Sequence, residues 1–369
     1  MTLRKENSMI DLDKTLSIYN ITKVVGNDKG KIIIFEKYVY SLLLLEQLNK
    51  LLEGYHYVFK GGTSILLLIQ TSSRFSIDID LSTDESLYDK RDELEKRFKS
   101  SIKPPFTNVT RDSDGRSHGG RMIKAAHYRL FYNSKYDTNE NYVLLDIVFQ
   151  TNSLRSKPVI IDNPVVIQDG EPLTVNTIEI DDLLGDKLTA FAPNTIGVKY
   201  TSKNKYGRAK SCEIIKQLFD CAFLTKYMSD YIRVSEVYLE ICNYQIKCEN
   251  NNQLTISKCL VDTLRTCETI LSNGKTNKEN YALLLEGMRS FNDYKIGKPL
   301  TIIDLQKCAL AVGILAGRLL NKYNPSIAHE NKLDYLLRTG IKEKELQLIA
   351  TKEEMTDFVN YFTLKTDKL

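Results

Sequence analysis

FKGGTSILLLIQTSSRFSIDIDLS, residues 59–82, sets a glycine turn before an apolar helix and two acidic residues on the strand that follows. Val58, Phe59 and Lys60 end a short strand, Gly61 and Gly62 make the turn, and residues 64–70 are apolar enough for a buried helix. Ile77, Ile79 and Leu81 then alternate with Asp78 and Asp80. Side chains in a strand repeat every two residues, so both carboxylates leave one face, roughly 6–7 Å apart at the Cα atoms, while the apolar residues enter the core. Two like charges this close call for a cation. Magnesium takes carboxylate oxygens together with substrate phosphates, and a two-metal site uses such a pair to activate an attacking oxygen and support a leaving pyrophosphate. The glycines allow a close backbone approach that a Cβ would forbid, and the first amides of the following helix favour an anion. Gly61, Gly62, Thr63 and Ser64 are therefore expected to cradle phosphate, the two hydroxyls supplementing the amides. As plain turn glycines and helix caps they would do less.

At these residues the chain resembles the nucleotidyltransferase superfamily, and within it the AbiEii/AbiGii-like toxins of bacterial type IV toxin-antitoxin systems with their MenT-type relatives. GGTS at 61–64 and RFSIDIDLS at 74–82 carry the resemblance; Thr63 stands where serine is commoner, and threonine keeps the hydroxyl. Arg74 looks like the arginine of the family's R-x-S-x-D-x-D pattern, placed to contact phosphate or to hold the carboxylates. DDLLGDKLTAFA at 181–192, with Lys187, and EIIKQLFDCAFL at 213–224, with Asp220, look like the downstream lysine and aspartate motifs, and Lys216 matches the basic residue that often precedes that aspartate. The matching pieces span residues 58–224. The resemblance implies a nucleotidyltransferase that uses Mg2+, with Mn2+ as the alternative, to move a nucleoside monophosphate from a nucleoside triphosphate to an acceptor hydroxyl. In some relatives that acceptor is a tRNA 3′ end. It also implies a toxin with a cognate antitoxin, Lys187 contacting the triphosphate and Asp220 in the active site.

A third carboxylate suggests itself independently. Asp146 interrupts the apolar strand YVLLDIVF, residues 142–149, and burying it unpaired would cost several kcal/mol. It needs a metal, as ligand or general base, or a basic partner, for which Arg129 in HYRLFY stands on the adjoining strand. The choice of base between Asp146 and Asp220 stays open. Blander readings run alongside: Asp78 and Asp80 on the wet side of an edge strand, Lys187 as a solvated helix lysine, Asp220 bridged to Lys216 four residues earlier. Other catalytic schemes are missing from the sequence. It has no GxSxG elbow and no GxxxxGK[ST] loop, and His56, His118, His127 and His329 lack cysteine or acidic neighbours at metal-ligand spacing. His127 reads as a strand residue rather than a base. Core packing accounts for most of the tyrosines.

A chain of 369 residues exceeds what one core comfortably serves, and two lobes follow. The expected architecture is α/β (α+β): a mixed-sheet nucleotidyltransferase-like domain over residues 1–175, then an all-helical domain over residues 176–369 that completes the nucleotide cleft. Residues 33–52 read as a helix packed on the sheet, residues 127–132 and 142–149 as a hairpin, and the runs at 159–161 and 165–167 as edge strands or extended connections. Hydrophobic content of 42% and charged content of 27% are those of soluble globular protein. The longest apolar runs fall short of the ~20 residues a membrane span needs, and the N-terminal MTLRKENSMIDLDK lacks a signal peptide's apolar centre, so a cytoplasmic location is expected. Seven cysteines without a CxxC pair fit reduced thiols. The net charge of +4 is slight, but Lys187, Lys199, Lys203, Lys205, Arg208, Lys210 and Lys216 concentrate positive charge where polyphosphate or RNA would be held. Two rival readings remain: a phosphotransferase on the same fold, and a nucleotide-binding regulatory or interaction protein that transfers nothing.

Overall fold

A computed structural model of the chain describes residues 9–71, 74–112, 123–138, 140–201, 210–249 and 251–366. The chain divides into two compact units. The first runs to Glu179 and takes back Asp293–Lys298; the second holds Ile180–Asn292 and Pro299–Leu369.

The first unit opens with two short helices, α1 (Leu12–Thr15) and α2 (Ile18–Val25), and a long one, α3 (Lys29–Leu51). Asp28 caps α3 by accepting the Lys31 amide at 3.1 Å, satisfying one of the orphan donors of its first turn. Strand β1 (Tyr57–Lys60) runs directly into α4 (Gly61–Leu68), and β2 (Asp78–Thr83) follows. Helix α5 (Arg91–Ser101) precedes β3 (Phe106–Arg111), β4 (Ala125–Asn133), β5 (Glu140–Phe149), β6 (Ser156–Ile160) and β7 (Thr174–Ile178). The seven strands make one sheet in the order β3-β4-β5-β2-β1-β7-β6. Pairings β2–β5 and β1–β7 are parallel and the others antiparallel.

Period-two alternation splits the sheet into two faces. Ile79 and Leu81 of β2, Tyr128, Leu130 and Tyr132 of β4, and Val143, Leu145 and Ile147 of β5 are buried. The residues between them, Asp78, Asp80, His127, Arg129 and Asp146, stay partly exposed. Tyr40 of α3 stacks on Tyr132 with ring centroids 3.6 Å apart, and Phe98 of α5 meets Tyr128 edge-on at 4.9 Å. Burying each such ring contributes about 1.5–3 kcal/mol relative to leaving it in water. Glu36, on the same helix as Tyr40, is buried; it accepts the Ser134 hydroxyl at 2.5 Å and the Lys135 amide at 2.7 Å, which ties α3 to the turn between β4 and β5.

The sequence reading differs from this unit at several elements, the helices α1 and α2 among them. Helix α4 starts at Gly61 rather than after the glycines. Strands β3 and β7 are additional: FTNVTR and TVNTI are too polar to announce themselves, and β3 lies at a sheet edge. Of the two runs read as edge strands or extended connections, 159–161 overlaps the edge strand β6 and 165–167 lies in a connection.

The second unit is helical: α6 (Ile180–Ala190), α7 (Ser211–Leu224), α8 (Tyr231–Glu249), α9 (Ile256–Leu271), α10 (Lys278–Phe291), α11 (Ile302–Tyr323), α12 (Lys332–Thr339), α13 (Glu343–Ile349) and α14 (Lys352–Asp357). Thr301 and Asp304 form a capping box at the start of α11. The acidic pair that opens DDLLGDK is architectural. Asp181 accepts the Ser229 amide at 2.9 Å, the Ser229 hydroxyl at 2.7 Å and the Asp230 amide at 3.2 Å just ahead of α8. Asp182, fully buried, takes a two-pronged bond from Arg233 at 2.8 and 2.5 Å. All seven cysteines are free thiols. Among the described residues no helix is long and apolar enough to cross a membrane.

Candidate active site

The junction of β1 and α4 is built around two glycines. Gly61 has φ +80°, a conformation costly for any residue with a Cβ, and a Cβ there would overlap the Asp80 carboxylate. A Cβ on Gly62 would come within 2.5 Å of both the Arg74 guanidinium and the Ser76 hydroxyl. The pair therefore lets β2 and the Arg74 side chain press against the first turn of a helix. The hydroxyls expected to supplement the amides are turned inward: Thr63 donates to the Asp78 carbonyl at 2.6 Å and Ser64 to the Gly61 carbonyl at 2.8 Å, and both side chains are buried. Thr63 fixes α4 to β2, Ser64 closes the first turn of α4 on itself, and any anion is left to the backbone amides. Arg74 is buried, donates to the Phe75 carbonyl at 2.9 Å, and pairs through its backbone with Lys295; the Phe75 amide donates to the Tyr294 carbonyl at 2.8 Å.

One substitution tests this junction. Gly61→Ala combines a left-handed backbone, about 1–2 kcal/mol, with displacement of Asp80; if that carboxylate serves the transfer expected from the sequence, a shift of about 1 Å costs on the order of 10²-fold in rate. Urea denaturation and a nucleotide-transfer assay should register both losses; a variant with unaltered stability and turnover would contradict this picture.

The carboxylates line up across strands. In the register of the sheet Lys60 lies opposite Asp80, Asp80 opposite Asp146, and Asp146 opposite His127. Asp80 and Asp146 thus share a row on the partly exposed face, with Asp78 two residues along the same strand. The basic partner of Asp146 is His127, Nδ1 to Oδ1 at 2.6 Å, and not the anticipated Arg129, which reaches Asp112 at 3.0 Å. Register explains the exchange, because antiparallel pairing sets Arg129 opposite Leu144. A second cation that the sequence reading missed is Lys37 of α3. Its ammonium is pushed below the usual lysine range by burial, an effect the Asp78 charge partly offsets. Its Nζ lies 4.9 Å from the centroid of the Tyr142 ring, and the Arg129 guanidinium lies 5.0 Å from that centroid. The only signal in the sequence was a charged residue inside the apolar FEKYVYSLLLL.

Among the described residues no three His, Cys, Asp or Glu side chains are drawn together tightly enough to hold a metal by themselves. Magnesium does not require such a cage: it binds through one or two carboxylates and completes its shell with water and substrate phosphates. Carboxylates from two adjacent strands, beside backbone amides at a helix start, are a donor set of that open kind.

The remaining sequence candidates belong to the helical unit. Lys187 of α6 and Asp220 of α7, singled out separately, form one ion pair at 2.8 Å, their side chains only 6% and 2% exposed. Lys187 also donates to the Gln217 side chain at 3.3 Å. Lys216 pairs with Glu213 at 3.0 Å, so the ion pair of Asp220 described here runs to another helix rather than to its own preceding turn. Of the basic segment, Lys203, Lys205 and Arg208 lie outside the described residues; Lys199 reaches Glu249 at 3.6 Å, and Lys210 is exposed.

Comparison with known proteins adds a family. Residues 43–293 match the family described as nucleotidyl transferase AbiEii toxin, type IV TA system. Among solved structures, the MenT4 nucleotidyltransferase toxin of Mycobacterium tuberculosis H37Rv is similar at 13% identity with a TM-score of 0.51, over 92% of this chain and 98% of that one. JHP933 from Helicobacter pylori aligns at 17% identity with a TM-score of 0.40, over 79% of this chain and 95% of that one. No curated protein matches.

Proposed function

Because this chain belongs to the AbiEii family of nucleotidyl transferase toxins of type IV toxin-antitoxin systems, we propose that it transfers a nucleoside monophosphate from a nucleoside triphosphate to an RNA hydroxyl, the 3′ end of a tRNA, with Mg2+ or Mn2+ as cofactor. The observation that carries the reading is the row of Asp80 and Asp146 on adjacent strands, with the Asp80 carboxylate against Gly61 at the start of α4. In this reading the α4 amides from Gly62 onward bind phosphate oxygens. Asp78, Asp80 and Asp146 would between them hold divalent cation, no more than two carboxylates to each ion, and the cation would supply positive charge to the phosphates and to the attacking oxygen. Arg74, wedged beside Gly62, keeps the strand leading to Asp78 in place. The acceptor oxygen attacks the α-phosphorus and loses its proton to water, the bond to the bridging oxygen breaks, and pyrophosphate leaves. Alignment and charge stabilisation supply most of the acceleration, without a covalent enzyme intermediate. A cognate antitoxin would hold this activity in check in the cell.

The test is direct. Purified protein is incubated with total RNA, Mg2+ and each nucleoside triphosphate labelled at the α- or the γ-phosphate, and the RNA ends are sequenced. Label from the α position on a tRNA 3′ end is the expected result. Transfer of γ label, or label on protein with none on RNA, would replace this proposal with a phosphotransferase or with a protein acceptor.

A further inference from the structure

The row that begins at Asp80 does not end at Asp146. His127 lies opposite Asp146 in the β4–β5 register, and its Nδ1 stands 2.6 Å from Asp146 Oδ1. Both side chains are largely shielded, 14% and 25% exposed. An ionised carboxylate only accepts hydrogen bonds, so the imidazole proton in this contact belongs on Nδ1. Bonds from nitrogen to a carboxylate at this distance are of the strong, charge-assisted kind. Arg129 and Asp112 are paired with each other on the next positions of the same face, and sheet pairing holds the histidine in place from both flanks, since the Asp112 amide donates to the His127 carbonyl at 2.9 Å.

We propose that His127 is a positioning residue of the transfer site: by holding Oδ1 of Asp146 it sets the plane of that carboxylate and so aims Oδ2 along the row towards Asp80, where a divalent cation would be shared. This rests on the reading of Asp146 as a metal ligand. Metal-ligating carboxylates are commonly held in this way by an outer partner, whose removal weakens metal binding or activity by about 10- to 100-fold. His127 itself touches neither phosphate nor acceptor in this scheme. Its loss therefore acts on metal affinity in the absence of nucleotide and, with Mn2+ at saturation, on turnover while sparing nucleotide affinity.

The experiment uses the full chain with three replacements, His127→Leu, His127→Asn and His127→Gln. An asparagine amide reaches about where Nδ1 stands, whereas a glutamine amide reaches about where Nε2 stands. Mn2+ binding is read from the electron paramagnetic resonance of free Mn2+, without nucleotide, and kcat and KM are read from the transfer assay with Mn2+ at saturation. The expected result is that His127→Leu weakens Mn2+ binding and lowers kcat by about 10- to 100-fold with KM for nucleotide within about twofold, and that His127→Asn recovers most of both while His127→Gln does not. A folded His127→Leu with wild-type Mn2+ affinity and kcat overturns the proposal. If the leucine variant fails to fold, equal behaviour of the asparagine and glutamine variants overturns it instead. Wild-type protein that neither binds Mn2+ nor transfers nucleotide would remove the underlying functional reading, an outcome separate from either of these.

Discussion

Asp80→Ala is expected to abolish nucleotide transfer and growth arrest together while the protein stays folded. Asp80 stands on the partly exposed face of β2, its neighbours Ile79 and Leu81 supply the burial, and its carboxylate lies against Gly61. Alanine there opens no core cavity. It also removes one of three like charges on adjacent positions, which relieves repulsion, so the melting temperature should hold or rise slightly. Losing a group that organises charge at the reacting centre costs on the order of 10³-fold in turnover. Rates from the labelled-nucleotide assay, thermal unfolding and growth curves at matched expression check the three parts together. Toxicity retained at equal expression would sink metal-dependent transfer as the source of arrest.

Asp220→Ala should behave in the opposite way, with stability lost first. The Lys187–Asp220 pair is almost fully withdrawn from water, and removing one member leaves the other charge buried and uncompensated, at a cost of about 3–5 kcal/mol. That is a large share of the ~5–15 kcal/mol by which a domain is stable. Replacing both members, Lys187→Met with Asp220→Leu, removes the stranded charge and should recover most of the lost stability. Urea unfolding of the two single variants and the double variant forms a cycle that isolates the coupling. If the double variant regains stability yet transfers nothing, the pair also serves catalysis; if Asp220→Ala unfolds at the wild-type urea concentration, the burial argument fails. Without this cycle, lost activity in either single variant would be mistaken for a chemical role.

What the sequence disclosed was local. The glycine turn, the apolar helix and the Asp-x-Asp strand lie within residues 59–82, and the strict alternation of Ile77, Asp78, Ile79, Asp80 and Leu81 admits one assignment of faces. Asp146 was legible because a carboxylate inside YVLLDIVF has to be matched by a cation. Its partner was not, because choosing between His127 and Arg129 requires the register of a hairpin whose connecting sequence SKYDTN offers no two-residue signature to fix it. Lys187 and Asp220 could be marked singly, yet nothing in either helix announces that the two side chains meet. The inward turn of the Thr63 and Ser64 hydroxyls was likewise illegible: a hydroxyl at a helix start can serve backbone or ligand, and rotamers are set by what packs around them. Strands β3 and β7 were missed for a related reason. Polar residues on a strand are tolerated when neighbouring strands supply the hydrogen bonds, so such strands carry little apolar pattern of their own.

Residues 293–298 return to the sheet unit after more than a hundred residues of helical chain, and there Tyr294 and Lys295 bond the backbone around Arg74 and Phe75. During synthesis the ribosome has therefore delivered the glycine junction and all three aspartates long before the segment that braces them. A growing polypeptide carries the glycine junction unbraced until this late stitch is made. For the same reason a fragment cut after Glu179 would keep Asp78, Asp80 and Asp146 and lose the brace.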